Sequence, residues 1–174
     1  MDIYTFKTPR PQHFSLPYPI MKYILKNATP KAWKKLIQTC KYFFPKNPVF
    51  PVYDLQADDN GKWHGDDGRI NTNNPVAKLW LYNILFAFHS GLSPTTISSL
   101  IPKLSNCSLK AVLFTGQNLT WNEFQFLTSS GSIEWFDFCD CTLKYSDGKF
   151  VTFDKVLENF KNVESLYVFL KICM

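Results

Sequence analysis

The chain has 174 residues, 45% of them hydrophobic and 17% aromatic, with a formal net charge of +5. That is enough for one compact domain or a small module joined to a larger one, and it excludes a disordered chain. No apolar run approaches the roughly 20 residues that span a bilayer, so membrane insertion is not predicted.

Residues 1–15 carry Asp2, Lys7, Arg10 and His13 and lack an apolar core, so the sequence predicts no signal peptide and a cytoplasmic or nuclear location. Five cysteines then read as reduced thiols. The charge is uneven. Residues 1–46 hold nine Lys or Arg against Asp2, whereas residues 47–174 hold ten basic and thirteen acidic side chains. A basic front attracts an acidic partner, either nucleic acid or an acidic protein surface.

The segment LPYPIMKYILKNATPKAWKKLIQTCKYFF, residues 16–44, opens with Pro17 and Pro19 ahead of Ile20, Tyr23 and Ile24 at helical spacing. Thr29 is a predicted N-cap with Pro30 at the first helical position. The next helix places Trp33, Leu36, Ile37, Cys40 and Phe44 on one face, opposite Lys34, Lys35, Gln38 and Lys41, and Pro45 closes it. A hairpin of this size cannot bury two apolar faces unaided. The remainder is covered by later parts of the chain or by a partner.

Residues 45–75 break into short strand-like pieces and polar loop. The acidic DDNGKWHGDDG lacks the glycine and glutamate positions of a calcium loop, and it is expected to be solvated. Beyond it, an apolar 0, 3, 5 pattern recurs in VAKLWL, LKAVLF, IEWFDF and VESLYV, starting at residues 76, 109, 133 and 163. Each instance matches the strand half of a leucine-rich unit. Helix signals lie between them: Ser93-Pro94, then a capping box from Thr120 to Glu123, then Val156, Leu157 and Phe160. Asp147-Gly148 marks a tight turn. The predicted fold class is α/β, a small N-terminal helical module followed by a short leucine-rich-repeat-like solenoid of alternating strands and helices. A compact α/β domain without true repetition is the alternative.

Chemistry is sparse. His13, His64 and His89 are scattered, the glycines form no phosphate loop, and Cys139-x-Cys141 is one residue short of a redox or zinc spacing. On a regular strand those two cysteines share a face. No catalytic residue, metal site or cofactor is predicted, and the chain is expected not to be an enzyme.

Leu16-Pro17, Ile20, Ile24, Trp33, Leu36 and Cys40-Lys41-x-Phe43 together resemble the F-box, the helical motif that docks on the Skp-type adaptor of cullin-RING ubiquitin ligases. Ala28 and Thr39 depart from its usual pattern. From Leu16 onward the layout is similar to short F-box proteins with a degenerate leucine-rich-repeat-like C-terminal region, a type expanded in nematodes. The resemblance implies an F-box with a short lead at residues 1–46, a linker and loop at 47–75, and a substrate-binding repeat region at 76–174. It implies an SCF-type substrate adaptor that docks through Leu16, Pro17, Ile20, Ile24, Trp33, Leu36, Ile37, Cys40 and Phe43, and through the Skp-type protein reaches a cullin scaffold. Which of these residues face the partner and which face the module's own core is left open. The target, an unidentified protein, would be read by exposed residues of the repeat strands: Trp80, Tyr82, Leu113, Thr115, Trp135, Asp137 and Tyr167. The alternative is a basic non-enzymatic module that binds protein or nucleic acid. Nucleic acid is disfavoured because Trp33 lies on the apolar stripe rather than among the lysines.

Overall fold

A computed structural model describes residues 16–72 and 77–170. Two helices come first, α1 at Tyr18–Asn27 and α2 at Pro30–Thr39. The Thr29 hydroxyl accepts from the Ala32 amide, as its place before Pro30 predicts. The apolar stripe of α2 does not run on to Phe44. Cys40 is extended, and Phe43 and Phe44 belong to a separate short helix, α3, at Phe43–Lys46. That break turns Phe43 back edge-on against Trp33, with ring centroids 5.9 Å apart. Burying two aromatic rings together outweighs one further turn of helix.

The strands are β1 (Val49–Ala57), β2 (Trp63–Gly65), β3 (Gly68–Arg69), β4 (Lys78–Ala87), β5 (Leu104–Cys107), β6 (Ala111–Thr115), β7 (Asn118–Thr120), β8 (Trp135–Lys144) and β9 (Ser165–Leu170). Three further helices separate the later ones: α4 at Thr96–Leu100, α5 at Trp121–Thr128 and α6 at Phe153–Leu157. The sheet is mixed. β1, β4, β6, β8 and β9 lie side by side and parallel in chain order, while β2 and β3 add antiparallel at the β1 edge. β5 also pairs with β4, and β7 with β8.

The fold is therefore α/β, with the sheet dominating its later part. It departs from a helical module followed by a regular series of strand–helix units in three ways. Residues 47–75, expected as linker and loop, contain β1, β2 and β3, so the sheet starts ahead of the expected repeat region. The connections hold helices of only five to eight residues.

The third departure is register. Leu79 and Leu81 of the first 0, 3, 5 motif pair with Leu104 and Cys107 of β5, and it is Leu85 that sits opposite Val112. The first motif is thus out of step by six residues; its opening Val76 lies outside the described residues. One continuous inward row runs Leu55, Leu85, Val112, Phe136, Leu166 across the five parallel strands. Long, apolar β4 buries both Leu79 and Leu81 and Leu85 and Ala87, so its local pattern alone is ambiguous.

The inward side is the main core, where Phe124 and Leu127 of α5, Ile97 and Leu100 of α4 and Val156 of α6 are buried against these rows. The Thr120–Glu123 capping box forms as the sequence predicts. A smaller cluster of Met21, Trp33 and Phe43 sits between the helices and the start of the sheet. None of the described helices is long and apolar enough to cross a membrane.

Candidate protein-binding surfaces

The first surface belongs to the N-terminal helices. Trp33 is 1% exposed, and its indole N–H donates to the Val49 carbonyl at 2.9 Å, which fixes α2 to the start of β1. Lys34 adds a second tie. Its ammonium lies 3.3 Å from Asp66 and 2.9 Å from Asp67 in the β2–β3 turn. Asp66 in turn accepts from the Tyr53 and Asp54 amides at the irregularity in β1, at 3.1 and 2.8 Å. Burial alone would raise its pKa, but the two amides and Lys34 outweigh this and hold the carboxyl below its ordinary value.

These ties divide the nine expected docking residues. Leu16, Pro17 and Ile20 are exposed, with Leu16 at 44% and Ile20 at 46%; Ile24, Leu36, Ile37 and Cys40 are half-buried. Trp33 and Phe43 are sealed by the chain's own β1 and Trp80, so in the division that the sequence leaves open these two take the core side. Tyr18 and Tyr23 of α1 are exposed as well, at 72% and 69%. Every large apolar residue of α1 except Met21 and the half-buried Ile24 and Leu25 faces away from the protein.

The second surface is the outward face of the sheet. Strand alternation sends Tyr82, Leu113, Thr115, Trp135, Asp137 and Tyr167 to this face, as their candidacy requires. Trp80 shares the parity but is not free. The helices fold back over this end, so its ring packs against the Met21–Trp33–Phe43 cluster and its N–H donates to the Ser108 hydroxyl at 3.2 Å. Tyr82 is half-buried beside Tyr53, centroids 5.3 Å apart, under Lys31, whose ammonium is 5.5 Å from the Tyr53 ring.

Farther along, the outward face opens. One row runs Asp54, Ile84, Ala111, Trp135, Ser165, and the next runs Gln56, Phe86, Leu113, Asp137, Tyr167. Trp135, Tyr167 and Phe169 are more than half exposed. Asp137 lies among them with its Oδ1 shielded from solvent and without a hydrogen-bond partner among the described residues. Burial pushes its pKa up. Ile84, Phe86 and Phe169 were not among the sequence candidates. Phe169 was legible from two-residue alternation after Tyr167, whereas Ile84 and Phe86 needed the true register of β4.

Cys139 and Cys141 do not share a face. Asp140 adopts a left-handed backbone, φ 50°, where the β8–β9 register shifts. The extra residue leaves Cys139 half-buried on the outward side and Cys141 in the core. The Cys141 thiol donates to the Cys139 carbonyl at 3.2 Å, and burial pushes its pKa to about 12. Among the described residues no group of three or more His, Cys, Asp or Glu side chains is placed to hold a metal ion. In the acidic loop, Asp58 accepts from the Asn60 and Lys62 amides and meets His64, while Asp59 pairs with His89.

The chain matches no protein-family model, no curated protein and no solved structure.

Proposed function

We propose that this chain is an F-box-type substrate adaptor of an SCF-type cullin-RING ubiquitin ligase. Its N-terminal helices dock on a Skp-type adaptor, and the outward face of the sheet presents a target protein. On this reading the chain works in the cytoplasm or nucleus. It makes no bond itself. It contributes proximity and orientation while the scaffold's charged enzyme carries out the transfer.

The observation that carries the reading is the split within the opening hairpin. One set of apolar residues, Met21, Trp33 and Phe43, anchors the hairpin to its own sheet. The other, Leu16, Pro17 and Ile20 with Tyr18 and Tyr23, is presented outward on that rigid base. Exposed apolar side chains held on an anchored helix in this way suit a protein interaction site.

The test is capture of the purified chain by a purified Skp-type adaptor, with Leu16→Ala/Pro17→Ala and Ile20→Glu variants alongside. Capture by the wild type and a loss of about tenfold or more in affinity for both variants, with thermal stability retained, is the expected result. No capture, or capture that ignores both variants, would remove the proposal.

A further inference from the structure

Apart from His89 Nε2, the Asp137 Oδ1 is the one shielded side-chain oxygen or nitrogen among the described residues that no neighbour satisfies. Its setting is unusual for a carboxylate. Leu113 and Tyr167 flank it across the strands, and Trp135 and Cys139 flank it along β8. Lys110, just ahead of β6, is paired with Glu134. A carboxylate with one oxygen shielded and unsatisfied is costly, and the neighbouring rings offer π faces that also favour a cation. Solvent-exposed Trp135, Tyr167 and Phe169 make the same patch adhesive to apolar groups.

We propose that the outward face of the sheet binds a protein segment that brings one lysine or arginine side chain onto the Asp137 carboxylate, while apolar residues beside that cation lie on Leu113, Trp135 and Tyr167. Charge complementarity selects this occupant. A charged donor forms a bond to carboxylate roughly twice as strong as a neutral one, and a nucleic acid would bring phosphate toward an uncompensated negative charge. The inference rests on the adaptor reading only in taking this segment as part of the target.

A phage-displayed library of random short peptides, panned on the full chain, tests it. Enriched peptides are expected to carry Lys or Arg next to aromatic or aliphatic residues. A synthetic selected peptide should lose about tenfold or more in affinity for Asp137→Asn, and an equal amount when its basic residue is acetylated lysine and the protein is wild type. The acetylated peptide keeps the result independent of any folding defect in the variant. Failure to enrich any peptide, enrichment without a basic residue, or affinity indifferent to acetylation overturns the inference. Skp-type capture of the same Asp137→Asn protein is scored in parallel. Capture retained with peptide binding lost separates this site from the docking helices, and peptide binding without capture leaves this inference standing while the adaptor reading falls.

Discussion

The Trp33 indole donates to the Val49 carbonyl across 2.9 Å, and through that contact an amphipathic helix becomes part of a sheet protein. The bond satisfies a strand-edge carbonyl, and the ring behind it fills the space between α1, α3 and Trp80. Trp33→Ala should cost about 3–5 kcal/mol through the cavity it opens. Trp33→Phe keeps most of the packing but strands the Val49 oxygen, at about 1–3 kcal/mol. Urea unfolding followed by circular dichroism reads both. Trp33→Phe as stable as the wild type would show that the hydrogen bond contributes nothing.

Asp66 should give the contact between the helices and the sheet a pH dependence. Its folded pKa lies below the unfolded value, so its stabilisation is present at neutral pH and is lost as pH falls through that lowered folded pKa. At pH 7, Asp66→Ala leaves the Tyr53 and Asp54 amides without their acceptor and should destabilise by about 1–3 kcal/mol. The gap between wild type and variant should narrow once the pH drops below about 3.8. A gap constant from pH 6 to pH 3 would contradict the role assigned to the charge.

Gln117 is fully buried, and its side chain joins α4 to the sheet. Its Oε1 accepts from the Ile97 amide, one of the donors that a helix start leaves without an intrahelical partner, while its Nε2 donates to the Ser93 and Thr115 carbonyls. Gln117→Leu has nearly the same shape and should still cost at least about 2 kcal/mol, because several buried groups lose their partners together. Hydrogen exchange at the Ile97 amide should speed up in the variant more than exchange at the Phe138 amide in the sheet core.

Thiol chemistry should report the irregularity at Asp140. Cys107 and Cys141 are buried, and burial pushes both thiols to about 12, so neither should be alkylated in the native protein at pH 8. Half-buried Cys139 should react ahead of Cys141 despite being two residues away. Mass mapping after brief iodoacetamide treatment distinguishes the two. Equal labelling of both would mean that β8 is regular and the cysteines share a face.

Local chemistry made much of the secondary structure readable in advance. Thr29 before Pro30, and Thr120 three residues ahead of Glu123, each mark a helix start with side chains that bond backbone amides within one turn. Leu166 and Val168, like Phe136 and Phe138, alternate into the core as their spacing requires. Tyr167 and Trp135 reach the opposite face for the same reason. β1 was legible only as a strand-like piece, because Pro51 and the irregularity near Tyr53 interrupt its alternation, and only pairing with β4 makes Leu55 part of the inward row.

What the sequence determined by itself was the set of short-range decisions: where helices begin, which residues are apolar, and the alternation that sends Asp137 and Leu113 to one side of their strands. Tertiary structure alone decided that Trp33 and Phe43 turn inward while Leu16 and Ile20 stay out, that β4 pairs through Leu85 rather than Leu79, and that Cys141 leaves the side of Cys139. Those outcomes depend on contacts between residues far apart in the chain. Two registers or two faces of similar local hydrophobicity differ in free energy only once a neighbouring strand or helix is in place to cover one of them.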